Sequence, residues 1–255
     1  MKKFLKISSL VLSVVLVMTM FASCGAPKAK EKLIMATNAN FPPYEFIEGE
    51  GGKVIGIDAE IAGKIAEKLD MELQIEDVEF GSIVTGVQSG KFNMGMAGMT
   101  VTDERKQSVS FSNSYAKGIQ VIIVKEGSTI KTTDDLVGKK IGVQQDTTGD
   151  IYASDTPDKG GFGKENVVSY KNGADAVTAL TAGKVDAVII DNEPAKAFVK
   201  ANTGLKILDT EYVSEEYAIC IAKENTALLE KVNKALDELI KDGTVKSIID
   251  KYIKA

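Results

Sequence analysis

The chain has 255 residues, of which 44% are hydrophobic and 26% charged, and this balance suits a globular protein with a sizeable core. Its formal net charge of −5 argues against a nucleic acid as partner, because phosphate binding needs a basic face. The chain contains no histidine, so a Ser-His-Asp triad and a histidine-based zinc site are both excluded.

The N-terminus, residues 1–23, is predicted to be a signal peptide. Lysines at positions 2, 3 and 6 precede a nearly continuous apolar run over residues 10–21, which is too short to span a bilayer comfortably. The run ends in FASCG and resembles the lipobox of bacterial lipoproteins, which implies a palmitate-bearing lipid on Cys24. An ordinary signal peptide with a chance cysteine is the alternative. We predict a polar, flexible, lipidated tether over residues 24–32 and an extracytoplasmic chain anchored to the cell membrane by its lipid alone.

Strands alternate with helices along the remaining chain. Strands are predicted at residues 33–36, 54–57, 73–78, 94–99, 140–143, 167–170, 185–190 and 217–222, with extended crossing segments at 109–114 and 118–124. Helices are predicted to begin near residues 58, 81, 133 and 149, and to cover 174–182, 226–242 and the region of 248–252. Asp58 is expected to cap its helix. Cys220 lies in an apolar strand, which predicts a buried, unpaired thiol. This alternation predicts an α/β fold with mostly parallel sheets flanked by helices.

Two segments of the chain also resemble each other in layout. VTGVQSGKFNMGMAGM at 84–99 and VTALTAGKVDAVIIDN at 177–192 share a helix, a Gly-Lys turn and an apolar strand. Two lobes of similar build would explain this, one formed by residues 33–115 with 212–255 and the other by 116–211. Ligands of open α/β sheets lie beyond the carboxyl ends of the strands, so two facing lobes predict one cleft.

The stretch AGMTVTDER at residues 97–105 carries groups that suit a carboxylate. Gly98 lets a bound molecule approach the backbone closely, Thr100 offers a hydroxyl, and Arg105 offers a planar fork of donors. The alternative is a strand-to-turn junction whose arginine pairs with a neighbouring acid.

Five motifs occur in the order and spacing of a known family. They are FPPYEF at 41–46, GIDAEIA at 56–62, AGMTVTDER with the following FSNSYA, VQQDTT at 143–148 and IIDNEP at 189–194. In this combination residues 33–255 resemble the bacterial extracellular solute-binding proteins for polar amino acids, the receptors of ABC importers. The resemblance implies the two-lobed, type II periplasmic-binding-protein-like fold with two crossing segments. It also implies a monomer without catalytic activity, metal or cofactor, whose partners are a free amino acid, a permease and its ATPase.

The resemblance also assigns roles to residues. Arg105 would clamp the ligand carboxylate, while Gly98, Thr100 and Asp191 would receive the ammonium. Two threonines would contact the carboxylate from the second lobe, and two phenylalanines would sandwich the ligand side chain. The complete predicted set is Asn38, Phe41, Phe80, Gly98, Met99, Thr100, Arg105, Gln144, Thr147, Thr148 and Asp191.

The identity of the amino acid is less constrained. Relatives that take basic ligands often carry an acid where Asn38 stands, which favours an uncharged polar side chain such as that of glutamine. Asp146 favours a basic side chain or faces solvent. Tyr44, Glu45 and Asp58 are assigned structural roles.

Two other functions are compatible with the same fold. A lipoprotein could sense an amino acid without transporting it. A cyclohexadienyl-dehydratase-like enzyme would need a general acid over its substrate ring, and no spare carboxylate is singled out for that task.

Overall fold

Two main β-sheets carry the fold of the residues described by the computed structural model, which are 29–49 and 51–254. The predicted signal peptide, Cys24 and most of the tether lie outside these residues. Within them, no helix combines the length and the apolar character needed to cross a bilayer. Both complete sheets and their cores lie between residues 32 and 254.

The strands are β1 (Lys32–Thr37), β2 (Asn40–Phe41), β3 (Glu45–Ile47), β4 (Val54–Ile55), β5 (Glu72–Asp77), β6 (Met94–Gly95), β7 (Val109–Phe111), β8 (Ala116–Lys125), β9 (Ile141–Gln144), β10 (Val167–Tyr170), β11 (Ala187–Asp191), β12 (Leu205–Ile207), β13 (Val213–Tyr217) and β14 (Cys220–Ala222). The α-helices are α1 (Ile57–Lys68), α2 (Gly81–Gln88), α3 (Asp103–Ser108), α4 (Thr148–Ser154), α5 (Gly173–Thr181), α6 (Asn192–Ala201), α7 (Thr226–Lys241) and α8 (Thr244–Tyr252). Short 3₁₀ turns occupy Thr133–Leu136, Pro157–Lys159 and Lys164–Asn166.

The first sheet has the strand order β5-β1-β6-β14-β7. β1 runs parallel to β5 and β6, whereas β14 runs antiparallel to its neighbours. Helix α1 buries Ile57, Ile61 and Ile65 because residues four apart lie on one helical face. The carboxyl ends of β1 and β6 point to the same edge, and they lead directly into Asn38 and the segment that contains Thr100.

The second sheet has the order β10-β9-β11-β8-β12, with β13 paired to β8. β9, β10 and β11 are mutually parallel, and β8 runs antiparallel to β11. β11 is buried along its whole length and has a continuous apolar run, as expected for a strand covered on both faces. Gln144 is the last residue of β9 and Asp191 the last of β11, so both lie at one edge of this sheet.

The chain crosses between the sheets through β8 and β13, whose Ala116–Gln120 and Val213–Tyr217 segments pair antiparallel. The single strand predicted over residues 217–222 is wrong, because Ala218 and Ile219 separate β13 from β14 and the two strands belong to different sheets. The backbone N–H of Ala218 donates instead to the carbonyl of Met99, 3.1 Å away. A Cβ on Gly118 would lie 2.4 Å from the ring of Tyr217, so glycine allows this crossing to pack closely.

Asp58 does not cap its helix as predicted. The N-cap of α1 is Gly56, and Asp58 is the second residue of the helix and fully buried. Its Oδ2 accepts hydrogen bonds from the backbone N–H of Gly98 at 2.8 Å and from the Tyr115 hydroxyl at 2.9 Å. The side chain ties α1 to the segment that follows β6.

Candidate functional site

A cavity lies where the polar edges of the two sheets face each other. Its lining residues are Asn38, Phe41, Glu45, Phe80, Ala97, Gly98, Thr100, Arg105, Gln144, Thr147, Thr148 and Asp191. The structure thus brings together every residue of the predicted set except Met99. The Met99 side chain is fully buried in the core, beside Ile83 and Val87, and does not line the cavity.

Arg105 is a buried cation on the side of the cavity next to the first sheet. The Thr102 hydroxyl accepts a hydrogen bond from the Arg105 backbone N–H at 3.1 Å and thereby caps α3. The guanidinium donates through Nη1 to the carbonyl of Thr100 at 2.8 Å and through Nη2 to the carbonyl of Asp146 at 3.0 Å. It also lies 5.2 Å from the centroid of the Phe80 ring. Burial lowers the pKa of Arg105, but a guanidinium stays protonated in proteins, so the group is a fixed positive charge.

Asp191 is a buried acid on the opposite side, where β11 ends. Its Oδ2 accepts a hydrogen bond from Gln120 Nε2 at 2.7 Å, and its Oδ1 accepts one from the Tyr217 hydroxyl. Burial, followed by the charge of Glu215, raises the pKa of Asp191 to about 7. A nearby cation would oppose both effects, so this carboxyl is suited to bind a positively charged group.

Gly98 and Phe41 meet at the wall between these charges. Gly98 has a φ of 50°, in the left-handed region, and a Cβ on it would lie 2.9 Å from Cε1 of Phe41. Only glycine therefore fits both the backbone conformation and the space beside Phe41, whereas the close approach of a bound molecule to Gly98 stays a prediction. Phe41 is buried and Phe80 is half-buried on the cavity wall.

The two predicted threonines have different surroundings. Thr147 is the N-cap of α4, where its hydroxyl donates to the carbonyl of Gln144 at 2.7 Å and accepts from the N–H of Asp150 at 3.3 Å. Thr148 is buried, and its hydroxyl accepts from Gln120 Nε2 at 3.4 Å. Both line the cavity, so capping by Thr147 and ligand contact are compatible.

Two neutral amides meet across the cavity. Gln144 Nε2 donates to Oδ1 of Asn38 at 3.0 Å, and Asn38 Nδ2 donates to the carbonyl of Val78 at 2.8 Å. Gln144 Oε1 is buried and accepts no hydrogen bond from the described part of the chain. It is therefore an acceptor available to a donor on a bound molecule.

Asp146 does not line this cavity. It is exposed, has a φ of 63°, and directs its carboxylate towards Gly81 on the rim of an outer groove. Its contribution to the site is the backbone carbonyl that accepts from Arg105. Of the two explanations for Asp146, the structure supports the one in which the side chain faces solvent.

Two buried acids close to the cavity were assigned only structural roles from the sequence. Glu45 lines the cavity, and burial together with the charge of Asp58 raises its pKa well above the ordinary value. Burial also raises the pKa of Asp58 to about 7. Glu45 follows two prolines in a loop that looks solvent-exposed in sequence, so no local pattern indicates its burial.

Glu215 is a third acid that the sequence did not single out. It lies on the crossing strand β13 with 5% of its surface exposed, and its Oε2 accepts from the Thr100 hydroxyl at 3.0 Å and from Gln120 Nε2 at 3.1 Å. A usable pattern existed, because Glu215 and Tyr217 are two residues apart and share one face of a strand. Glu216, between them, is exposed.

The site offers donors and acceptors for a small charged molecule rather than metal ligands. No group of three or more Cys, Asp or Glu residues suited to a metal ion occurs within residues 29–49 and 51–254. The prediction of a buried, free Cys220 is confirmed, and burial raises the pKa of its thiol to about 12.

Comparison with known proteins identifies the family. Residues 33–255 match the family model described as bacterial extracellular solute-binding proteins, family 3. The arginine-binding extracellular protein ArtP of Bacillus subtilis strain 168 is 31% identical over 233 residues, which cover 91% of this chain and 89% of ArtP.

Solved structures agree with this match. An ancestral arginine-binding protein bound to arginine is 41% identical, with a TM-score of 0.81, over 89% of this chain and 100% of that one. An ancestral arginine-binding protein bound to glutamine is 39% identical, with the same TM-score and the same coverage. The predicted two-lobed fold of type II periplasmic binding proteins is confirmed. The chain belongs to the bacterial extracellular solute-binding proteins, family 3.

Proposed function

We propose that this protein captures one free polar L-amino acid in the cavity between its lobes and delivers it to the permease and ATPase of an ABC importer. One observation carries the proposal: a buried guanidinium beside the first sheet and a buried carboxyl at the edge of the second sheet line the same cavity. Arg105 would bind the α-carboxylate and Asp191 the α-ammonium.

A free amino acid is a zwitterion, and this explains why the site needs two opposite charges. Taking both poles out of water is costly unless each meets an opposite charge and good hydrogen bonds. Charge-assisted hydrogen bonds contribute about 1.5–3 kcal/mol each. A few of them together supply the roughly 8 kcal/mol of a micromolar site.

The ligand would join the lobes as it binds. We propose lobes formed by residues 33–115 with 212–255 and by 116–211, which move about the crossing strands β8 and β13. A ligand held by Arg105 on one lobe and Asp191 on the other has greater affinity for the closed form. It therefore shifts the balance towards that form, which the importer would recognise.

Arginine and glutamine are the first candidates for the ligand. Asn38 and Gln144 are uncharged, so the part of the cavity that they line suits an amide or another polar group. Glu45 adds a carboxyl to the same cavity, which suits a basic side chain. The names of the relatives are consistent with both, since ArtP is arginine-binding and the ancestral proteins were solved with arginine and with glutamine.

A thermal-shift screen tests the binding function. At 1 mM, a ligand with a micromolar dissociation constant stabilises the folded state by about 4 kcal/mol. For a domain of this size that corresponds to a rise in Tm of roughly 8–16 °C. We expect one or a few of the twenty amino acids, or cystine, to raise the Tm of the chain from Gly25 onward by this amount. A well-folded protein whose Tm responds to none of them would contradict the proposal.

We further propose that Cys24 carries a lipid that holds the protein at the outer face of the cell membrane. The support is the order of the N-terminal residues, with basic positions, an apolar run and then FASCG. A single acyl chain binds membranes only weakly, whereas several chains on one cysteine anchor a protein firmly.

Metabolic labelling with palmitate tests the anchor. The full chain should incorporate label and partition into detergent, and Cys24→Ala should lose both properties. Cys220→Ala is the matched control, because it removes the other cysteine from the folded core and should leave labelling unchanged. Equal labelling of the wild type and the Cys24→Ala variant would contradict the assignment.

A further inference from the structure

The Thr100 hydroxyl has a fixed hydrogen-bond direction, and Glu215 sets it. A hydroxyl has one hydrogen to donate and two lone pairs that accept. The Thr100 hydroxyl donates its hydrogen to Oε2 of Glu215, 3.0 Å away. The hydroxyl hydrogen of Thr100 therefore points away from the cavity, and the lone pairs of its oxygen remain available on the cavity side.

Gln120 is oriented in the same way. Its Nε2 donates to Oδ2 of Asp191 at 2.7 Å and to Oε2 of Glu215 at 3.1 Å, and the Thr148 hydroxyl is a third, more distant acceptor at 3.4 Å. The Tyr217 hydroxyl likewise donates to Asp191. These two acids therefore accept hydrogen bonds from the Thr100, Gln120 and Tyr217 side chains, and Thr100 is the one of the three that lines the cavity.

We infer that Glu215 is a positioning residue for the ammonium subsite. By accepting hydrogen bonds from the Thr100 hydroxyl and the Gln120 amide, it holds these donors away from the ligand, so that the subsite offers the ligand only hydrogen-bond acceptors. The inference rests on the proposed function. An α-ammonium donates three hydrogen bonds and accepts none, so such a subsite fits it and disfavours a ligand that lacks it. Glu215 does not line the cavity and would act through Thr100 and Gln120.

The test compares amino acids with analogues that lack the α-amino group. Calorimetry would measure L-arginine against 5-guanidinopentanoate and L-glutamine against glutaramate, using the chain from Gly25 onward. Glu215→Ala removes the acceptor for Thr100, so we expect affinity for the amino acid to fall about ten- to a hundredfold. Affinity for the deamino analogue should change less than about twofold, because it makes no ammonium contact.

Two further variants keep the test decisive. Glu216→Ala, on the exposed face of the same strand, should leave both affinities unchanged. Glu215→Gln retains the volume and an acceptor oxygen, so it should fold and should lose less affinity for the amino acid than Glu215→Ala does. If Glu215→Ala does not fold, Glu215→Gln becomes the test. The inference then requires that this variant lose more affinity for the amino acid than for its deamino analogue.

The outcomes separate this inference from the proposed function. Equal losses for amino acid and analogue would show a merely structural role for Glu215 and overturn the inference, as would an unchanged affinity in both variants. A wild-type protein that binds neither amino acids nor analogues would instead overturn the proposed function, and the inference with it.

Discussion

Replacing Arg105 with alanine should weaken binding of the amino acid by at least about a hundredfold. Among the described residues that line the cavity, Arg105 is the one that carries a positive charge. Without it, the ligand carboxylate is buried unpaired, and breaking a buried ion pair in this way costs about 3–5 kcal/mol. Each 1.4 kcal/mol corresponds to about tenfold in the dissociation constant. Calorimetry on the ligand identified by the thermal-shift screen measures the loss directly.

Arg105 also joins the two sides of the cavity without any ligand. Its guanidinium donates to the carbonyl of Thr100, which follows β6 of the first sheet, and to that of Asp146, which follows β9 of the second sheet. The variant therefore loses one contact that favours closure, and this adds to the loss of affinity. Arg105→Lys keeps the charge but lacks the planar fork, so we expect an intermediate affinity.

Lys106→Ala is the matched control for this experiment. Lys106 is the next residue of α3, is exposed, and pairs with Asp103 at 3.2 Å on the surface. Its removal changes the net charge by the same amount as Arg105→Ala but should leave affinity unchanged. Circular dichroism should show the same fold for both variants. An Arg105→Ala protein that binds within about threefold of the wild type would contradict the role of Arg105 in binding the carboxylate.

The cavity was largely predictable because its residues follow strand ends in short motifs. Asn38 follows β1, Gln144 ends β9 and Asp191 ends β11, and the carboxyl ends of parallel strands in a lobe meet at one edge. Gly98 lines the cavity, but its need for glycine also arises from the contact with Phe41, which its sequence context did not indicate.

The first crossing, β8, was predicted as an extended segment, but the second crossing strand, β13, could not be predicted from local patterns. Residues 217–222 read as one apolar strand, and an apolar strand does not specify which neighbour it pairs with. The break at Ala218 arises from its hydrogen bond to the carbonyl of Met99, over a hundred residues earlier in the sequence. The burial of Glu215 depends on the pairing of β13 with β8, which is also distant in sequence. A glutamate in a polar stretch is therefore buried without any local signal.

The burial of Asp58 and Glu45 was not predicted, for an energetic reason. Buried carboxyls are rare because losing hydration is costly, so a sequence interpretation assigns such residues to helix caps and solvent-exposed loops. Here the N–H of Gly98 and the Tyr115 hydroxyl donate to Asp58 and offset part of that cost. Gly98 and Tyr115 are forty and fifty-seven residues away from Asp58 in the sequence, so no short motif contains Asp58 together with either partner.

Replacing Asp191 with asparagine should also weaken binding by about a hundredfold or more. The change keeps the shape and one acceptor oxygen, so Gln120 Nε2 or the Tyr217 hydroxyl can still donate to it. It removes the negative charge that would face the ligand ammonium, which leaves that ammonium unpaired in a buried site. Asp186→Asn is the control, because Asp186 precedes the same strand on the opposite end and bonds the N–H of Lys140 at 2.9 Å.

The pH dependence of binding distinguishes loss of this charge from a general disturbance. The pKa of Asp191 is about 7 without ligand, and an ammonium pairs only with the ionised carboxylate. Binding must then release a proton below that pH, so the wild-type affinity should rise about tenfold between pH 6 and pH 8. The affinity of Asp191→Asn should be flat over this range, as measured by calorimetry at several pH values.

The free energy of unfolding without ligand should fall as the pH rises, whereas the affinity for the ligand rises. Because the folded pKa of Asp191 is raised above the ordinary value of 3.8, its contribution to stability is present below about pH 4 and is lost as pH rises through about 7. Asp58, with a pKa also near 7, contributes with the same sign but does not line the cavity. A pH dependence of binding that persists in Asp191→Asn would therefore assign the titration to another buried acid, Asp58 or Glu45, and contradict the role of Asp191 as the acid that receives the ammonium.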